Sequence, residues 1–188
     1  MSEGCLFALG RYQPLTRGHE KVLRNMINLA RSQNKTPIIY VSKGSYKSRS
    51  DKTKNPFTQK ERMAMMRTIF PNVNVRAQVN NPVVTANSLN KPVSICVGSN
   101  RVNAFRKMMN RYGHGVISGG NRNNTSNNIS GVSGTKLRNW ARSNNYAQYR
   151  NWVPQGFTNN QVREQMEMIR QRTPAPAPTR KRKANNSR

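Results

Sequence analysis

Residues 5–19 read CLFALGRYQPLTRGH, and residues 20–32 continue EKVLRNMINLARS. CLFALG is a short, almost wholly apolar run closed by a glycine, the pattern of a strand buried on both faces of a parallel sheet. GRYQPLTRG reads as a turn. Val22, Leu23, Met26, Ile27 and Ala30 then recur at helical spacing. Strand, tight turn and amphipathic helix in that order make one unit of an alternating β/α fold.

The alternation continues outward from this unit. Strands are predicted over residues 37–42, 72–77, 92–98 and 114–118, each rich in Val and Ile or bounded by Gly and Pro. Helices are predicted from about Phe57 to Phe70, around Phe105, Met108, Met109 and Tyr112, from Ser133 to Arg142, and from Thr158 to Gln171. The helical methionines read as core filler. The expected architecture is α/β, a single Rossmann-like doubly wound parallel sheet with helices on both faces over residues 1–154. A C-terminal helix (155–171) and a basic, disordered or extended tail (172–188) follow. In such a sheet ligands bind beyond the carboxyl ends of the strands.

The charge is the second strong signal. Among 188 residues, 33 are Lys or Arg and 6 are Asp or Glu, giving a formal net charge of +27. The tail RTPAPAPTRKRKANNSR holds six of the basic residues, which leaves the body at 27 against 6, or +21. No Asp or Glu occurs between Glu61 and Glu164, whereas fourteen Lys and Arg do. A chain this basic is expected to meet polyanions, nucleic acid above all, through its surface and tail. No apolar run approaches the ~20 residues of a membrane span, and the N-terminus lacks a signal-peptide layout. The expected location is intracellular, cytoplasmic or nuclear, or inside a virion. Cys5 and Cys96 lie in separate apolar runs and read as buried, reduced thiols with no metal spacing.

Two segments carry candidate chemistry. One is the turn after the first strand, with Gly10, Arg11, Thr16, Gly18 and His19. The other is Ser133-Gly134-Thr135-Lys136-Leu137-Arg138, which opens a late helix. Each feeds a helix N-terminus, where free backbone N–H groups and the helix dipole favour phosphate. His19 and Arg138 add donors able to reach phosphate oxygens, Arg138 in a planar fork. Thr16 and Ser133 also suit ordinary N-caps, and Thr58-x-x-Glu61 is a capping box by sequence. His114, without a companion motif, reads as structural.

These motifs resemble those of the nucleotidylyltransferase superfamily, the cytidylyltransferase-like group that includes nicotinamide mononucleotide (NMN) adenylyltransferases. Thr16-Arg17-Gly18-His19 is similar to its [H/T]xGH motif, and Ser133-Gly134-Thr135-x-x-Arg138 to its S-[S/G]-T-x-x-R motif. Asn55-Pro56-Phe57-Thr58-x-x-Glu61-Arg62 and Gly98-Ser99-Asn100-Arg101 resemble segments of the archaeal and phage-type NMN adenylyltransferases. Asn100 stands where the related turn carries an acid.

The resemblance implies nucleotidyl transfer from a nucleoside triphosphate, ATP, to a phosphate-bearing acceptor such as NMN, with release of pyrophosphate. It implies that His19, Thr16 and Arg138 are catalytic and that Gly10, Arg11, Gly18, Ser133, Gly134 and Thr135 hold the triphosphate. Lys54, Asn55, Arg62, Ser99 and Arg101 are expected as further substrate or phosphate contacts. Mg²⁺ is expected to be held mainly by the nucleotide phosphates, with no protein residue assigned as a ligand. An alternative starts from the surplus charge and from a compositional resemblance of the tail to basic tails of structural proteins in large DNA viruses. In it the same fold serves as a virion or nucleic-acid-packaging protein with viral structural partners, and catalysis is vestigial.

Overall fold

A computed structural model describes residues 3–44, 50–78, 81–120 and 132–173. Five parallel strands form its sheet: β1 (Cys5–Gly10), β2 (Thr36–Ser42), β3 (Asn74–Gln78), β4 (Val93–Val97) and β5 (Gly115–Ser118), in the order β3-β2-β1-β4-β5. Alternate side chains of the apolar strands enter two separate cores. Leu6, Ala8, Ile39, Val41 and Cys96 face one, and Cys5, Phe7, Ile38, Tyr40, Ile95 and Val97 face the other. Burial on both faces is why these strands are continuous apolar runs. The first core is covered by α1 (Arg17–Ser32), α2 (Gln59–Ile69), α5 (Gly134–Arg142), α6 (Tyr146–Trp152) and α7 (Asn159–Arg172). The second lies beneath α3 (Pro82–Asn87) and α4 (Val102–Asn110). The doubly wound expectation therefore holds, and the C-terminal helix α7 is part of the first core through Val162, Met166 and Ile169.

Asparagine explains much of what the sequence reading misses. α3 begins at an Asn81 N-cap with Pro82 in its first turn, a start signal attached to a helix of only six residues. α6 likewise starts at an Asn145 cap and is too short to show a clear stripe. Asn34 and Asn144 take left-handed conformations (φ 52° and 55°) and end α1 and α5. At each end the N–H of that asparagine and of the residue after it return to the last helical carbonyls, as in Lys35 N–H to Ala30 O at 2.8 Å. Tyr112, expected on the helix with Phe105, Met108 and Met109, instead lies beyond α4 and is 51% exposed. The polar loop NRNNTSNN and the tail beyond residue 173 lie outside the described residues. Among the described residues no helix is long and apolar enough to cross a membrane.

One polar clamp fastens the C-terminal helix to the rest. Thr58 and Glu61 form the capping box at the start of α2. Glu61 also accepts hydrogen bonds from Arg172 at 2.7 and 2.9 Å, and Arg172 donates to the Pro56 carbonyl. These bonds, Arg172 first and then the Thr58 N–H, draw the Glu61 carboxyl down to about 2 from an ordinary 4.5. Because the folded value lies below the ordinary one, the clamp stabilises the fold above about pH 4.5 and loses its effect as pH falls toward 2. Glu61→Gln is expected to cost on the order of 1–2 kcal/mol at neutral pH after solvent screening, or about 2–8 °C of Tm. Thermal melts should show the gap between wild type and variant closing on acidification; a constant gap would contradict the clamp.

Candidate active site

The strand order reverses between β1 and β4, the point beyond whose carboxyl ends sheets of this kind bind their ligands. The β1–α1 turn follows the first of these strands and the Ser99–Arg101 3-10 turn the second. Thr16 is the N-cap of α1, and its hydroxyl accepts from the His19 backbone N–H at 3.2 Å. His19 replies: the Thr16 backbone N–H donates to Nδ1 at 3.2 Å, and the Thr16 hydroxyl lies 3.0 Å from the same nitrogen. His19 thus fills the place a Glu or Gln takes in the usual capping box. Nδ1 is fixed as acceptor, so in the neutral ring the proton resides on Nε2, the nitrogen able to donate to a phosphate oxygen. Tyr12, at φ 47°, sets its ring edge-on to the imidazole with centroids 5.3 Å apart.

Gly10 has a structural reason to lack a side chain. A Cβ there would come within 2.6 Å of the Tyr12 ring. The close approach at this glycine is that of the protein's own tyrosine.

Gln13 joins the parts, and the sequence reading passed it over. Its side-chain amide pairs with the backbone of Phe57, donating to the carbonyl at 2.7 Å and accepting from the N–H at 3.0 Å. Its carbonyl accepts from Arg138 Nη1 at 2.6 Å, while Arg138 Nη2 donates to the Thr135 hydroxyl at 3.1 Å. A Cβ on Gly134 would stand 2.9 Å from that same carbonyl. Glycine therefore lets the N-terminus of α5 approach the β1–α1 turn. Ser133 is the α5 N-cap, accepting from the Lys136 N–H at 3.3 Å. The two principal motifs, 120 residues apart in the chain, are one assembly in space. A polar residue lodged between Tyr12 and Pro14 inside a phosphate-type turn was the available signal for Gln13.

The secondary candidates divide. Arg62 is 4% exposed and donates to three backbone carbonyls: Arg11 at 2.6 Å, Ser42 at 2.7 Å and Thr58 at 3.2 Å. It ties the ends of β1 and β2 to the start of α2. Asn55 is buried, with its N–H and its side-chain amide both directed to the Asp51 carbonyl. Lys54 is exposed and pairs with Asp51 at 3.1 Å. Hydrogen bonds from Thr53, then from Lys54, hold the Asp51 carboxyl at about 2. Arg11 is exposed beside the turn, and Gly18 is buried in the first turn of α1. Ser99 and Arg101 are exposed at the end of β4, and no hydrogen bond among the described residues links them to the β1 turn or α5.

Two guanidinium groups are thus buried here, Arg62 and Arg138, and neither forms an ion pair among the described residues. Burial is the main cause that lowers each to about 10, and repulsion from Arg11 acts on both. Both remain charged at neutral pH, in surroundings that favour an incoming anion. No three of His, Cys, Asp and Glu converge to hold a metal ion among the described residues.

The profile of the cytidylyltransferase-like family matches residues 7–139, from β1 to the helix that carries Arg138. Among solved structures, the chain is similar to a bifunctional NMN adenylyltransferase/ADP ribose pyrophosphatase from Francisella tularensis, at 14% identity and a TM-score of 0.58. The likeness covers 89% of this chain and 52% of that one, so the chain spans about half the length of that protein. At this identity it speaks for the fold. No curated protein matches the sequence.

Proposed function

Because the chain belongs to the cytidylyltransferase-like family, we propose that it transfers a nucleotidyl group from ATP to a phosphate-bearing acceptor such as nicotinamide mononucleotide, releasing pyrophosphate. The observation that carries this reading is Arg138, a buried guanidinium with no carboxylate partner among the described residues, which joins the first turns of α5 to the turn that opens α1. A triphosphate supplies the anion such a place favours.

In the proposed reaction an oxygen of the acceptor phosphate bonds to the α-phosphorus of ATP. The bond from that phosphorus to the bridging oxygen breaks, and pyrophosphate leaves with the charge. The attacking oxygen is already ionised, so no general base is needed. Positioning and charge stabilisation supply the acceleration. His19, through Nε2–H, and Thr16 would contact the triphosphate. Arg138, Ser133 and Thr135 would hold the β- and γ-phosphates as pyrophosphate departs. The N–H groups opening α1 and α5 face the same charge, with Arg11 a further contact from the rim. Mg²⁺ enters in this reading as part of the substrate, on the triphosphate oxygens, and the carboxylate-poor donor set does not fit a protein-held ion.

The full chain incubated with ATP and NMN is expected to release pyrophosphate in step with dinucleotide. His19→Ala should lower the rate about 10²–10³-fold, as for loss of one transition-state donor. Absence of turnover over a panel of triphosphates and phosphorylated acceptors would sink the proposal.

A further inference from the structure

The two helical layers carry charge differently. Glu20 lies on α1, Glu61 on α2, Glu164 and Glu167 on α7, Asp51 in the loop before α2, and Glu3 ahead of β1. All four ion pairs among the described residues draw on these acids. The opposite layer, α3 and α4 over β4 and β5, falls wholly within the span that has no Asp or Glu.

α4 is the outermost feature of that layer. Val102, Phe105 and Met108 turn inward with Met109 onto the second core. Asn103, Arg106, Lys107, Asn110 and Arg111 are exposed, at the spacing that lines one side of a helix. Apart from Ala104, the outer face therefore consists of amides and cations. Among the described residues no ion pair or hydrogen bond engages the side chains of Arg106, Lys107 or Arg111. Three arginines of the other layer are occupied, Arg24 with Glu20, Arg170 with Glu167 and Arg142 with the Thr53 carbonyl and Thr173, while Arg31 on α1 is exposed without such a bond among the described residues. Next in sequence to Arg111, just past the end of α4, Tyr112 is one of two large hydrophobic side chains exposed on the described surface.

We propose that the outer face of α4 is a docking surface for single-stranded nucleic acid, with phosphates on Arg106, Lys107 and Arg111 and an unpaired base stacked on Tyr112. From Asn103 to Arg111 the stripe runs about 12 Å along the helix, room for a short stretch of backbone. Lysine and arginine neutralise phosphate, and asparagine amides donate to it. The ring selects the strand type. A duplex hides the faces of its bases, whereas an unpaired base gains by stacking on an exposed aromatic beside cations. An acidic protein would satisfy the cations and leave the ring unused. The proposal stands apart from nucleotidyl transfer, and its test contains no triphosphate.

The test measures fluorescence anisotropy of the full chain with a labelled oligothymidylate and with a duplex of equal length, between about 50 and 200 mM salt. Two triple variants remove the same charge: R106Q/K107Q/R111Q from the stripe, and R31Q/K60Q/R163Q from exposed positions of the other layer. The stripe variant should lose about 2 units of the log–log salt slope and roughly tenfold in affinity across that salt range. The control should stay within about twofold of wild type. Tyr112→Ala should weaken the single strand roughly five- to hundredfold and leave the duplex unchanged. Equal losses in both triples would overturn the proposal, since binding would then follow net charge or the tail. Duplex bound as tightly as single strand, with Tyr112 indifferent, would overturn it too.

Discussion

Arg138→Lys is expected to lower turnover at least 10²-fold while leaving the fold intact. The substitution keeps the positive charge and gives up the planar fork. Arg138 spans two anchors at once, the Gln13 carbonyl at 2.6 Å through one terminal nitrogen and the Thr135 hydroxyl at 3.1 Å through the other. A lysine ammonium is one point on a flexible stem. It can follow the Gln13 carbonyl into the buried space or reach toward a phosphate, and it cannot hold the geometry for both. In the proposed reaction Arg138 matters most as pyrophosphate separates, so the loss should fall on kcat more than on KM for ATP. Pyrophosphate release under saturating substrate, paired with a thermal melt, separates the two effects. A variant that keeps more than a tenth of the wild-type rate would show that charge alone suffices at this position.

Arg62→Met is the second large effect, and it is read in stability. Arg62 donates to carbonyls at the ends of β1 and β2 and at the cap of α2. Removing it strands three part-buried acceptors. Hydrogen bonds from a charged donor contribute about 1.5–3 kcal/mol each, and a lost buried network costs about 3–5 kcal/mol in all. For a chain of this size that corresponds to a fall of roughly 6–20 °C in Tm. Were Arg62 chiefly a phosphate contact, the melt would hold and KM for ATP would rise. Urea or thermal unfolding of wild type and variant decides between them.

The sheet and the two principal motifs were legible because each is a local pattern. The apolar run at 5–10, the stripe from Val22 to Ala30 and the Ser-Gly-Thr start of α5 each declare themselves within about fifteen residues. That motifs 120 residues apart would share one site followed from the rule that ligands sit at the carboxyl ends of a parallel sheet. The anchoring was not legible. Arg62 and Arg138 find main-chain carbonyls, and a carbonyl leaves no mark in a residue string. Gln13 was missed for the same reason, since its partner is the backbone of Phe57. His19 replacing the usual Glu in a capping box was hidden by the motif that singled it out. Short α3 and α6 gave caps without stripes. The charge was visible as a sum, whereas its separation into one carboxylate-bearing layer and one without required the topology that places residues 82–118 on their own side.

The choice of carbonyls as anchors has a consequence for divergence. Arg62 grips the main chain at positions 11, 42 and 58, and Arg138 grips it at position 13. Main-chain oxygens are present whichever amino acid is encoded there. Substitution at 11 or 42 therefore changes what the rim offers a ligand and leaves the tether intact. A lineage can rewrite the surroundings of such a site while only a few positions are held to account: the two arginines, the glycine at 134 and the amide at 13. A fold shared at 14% identity is what that arrangement permits.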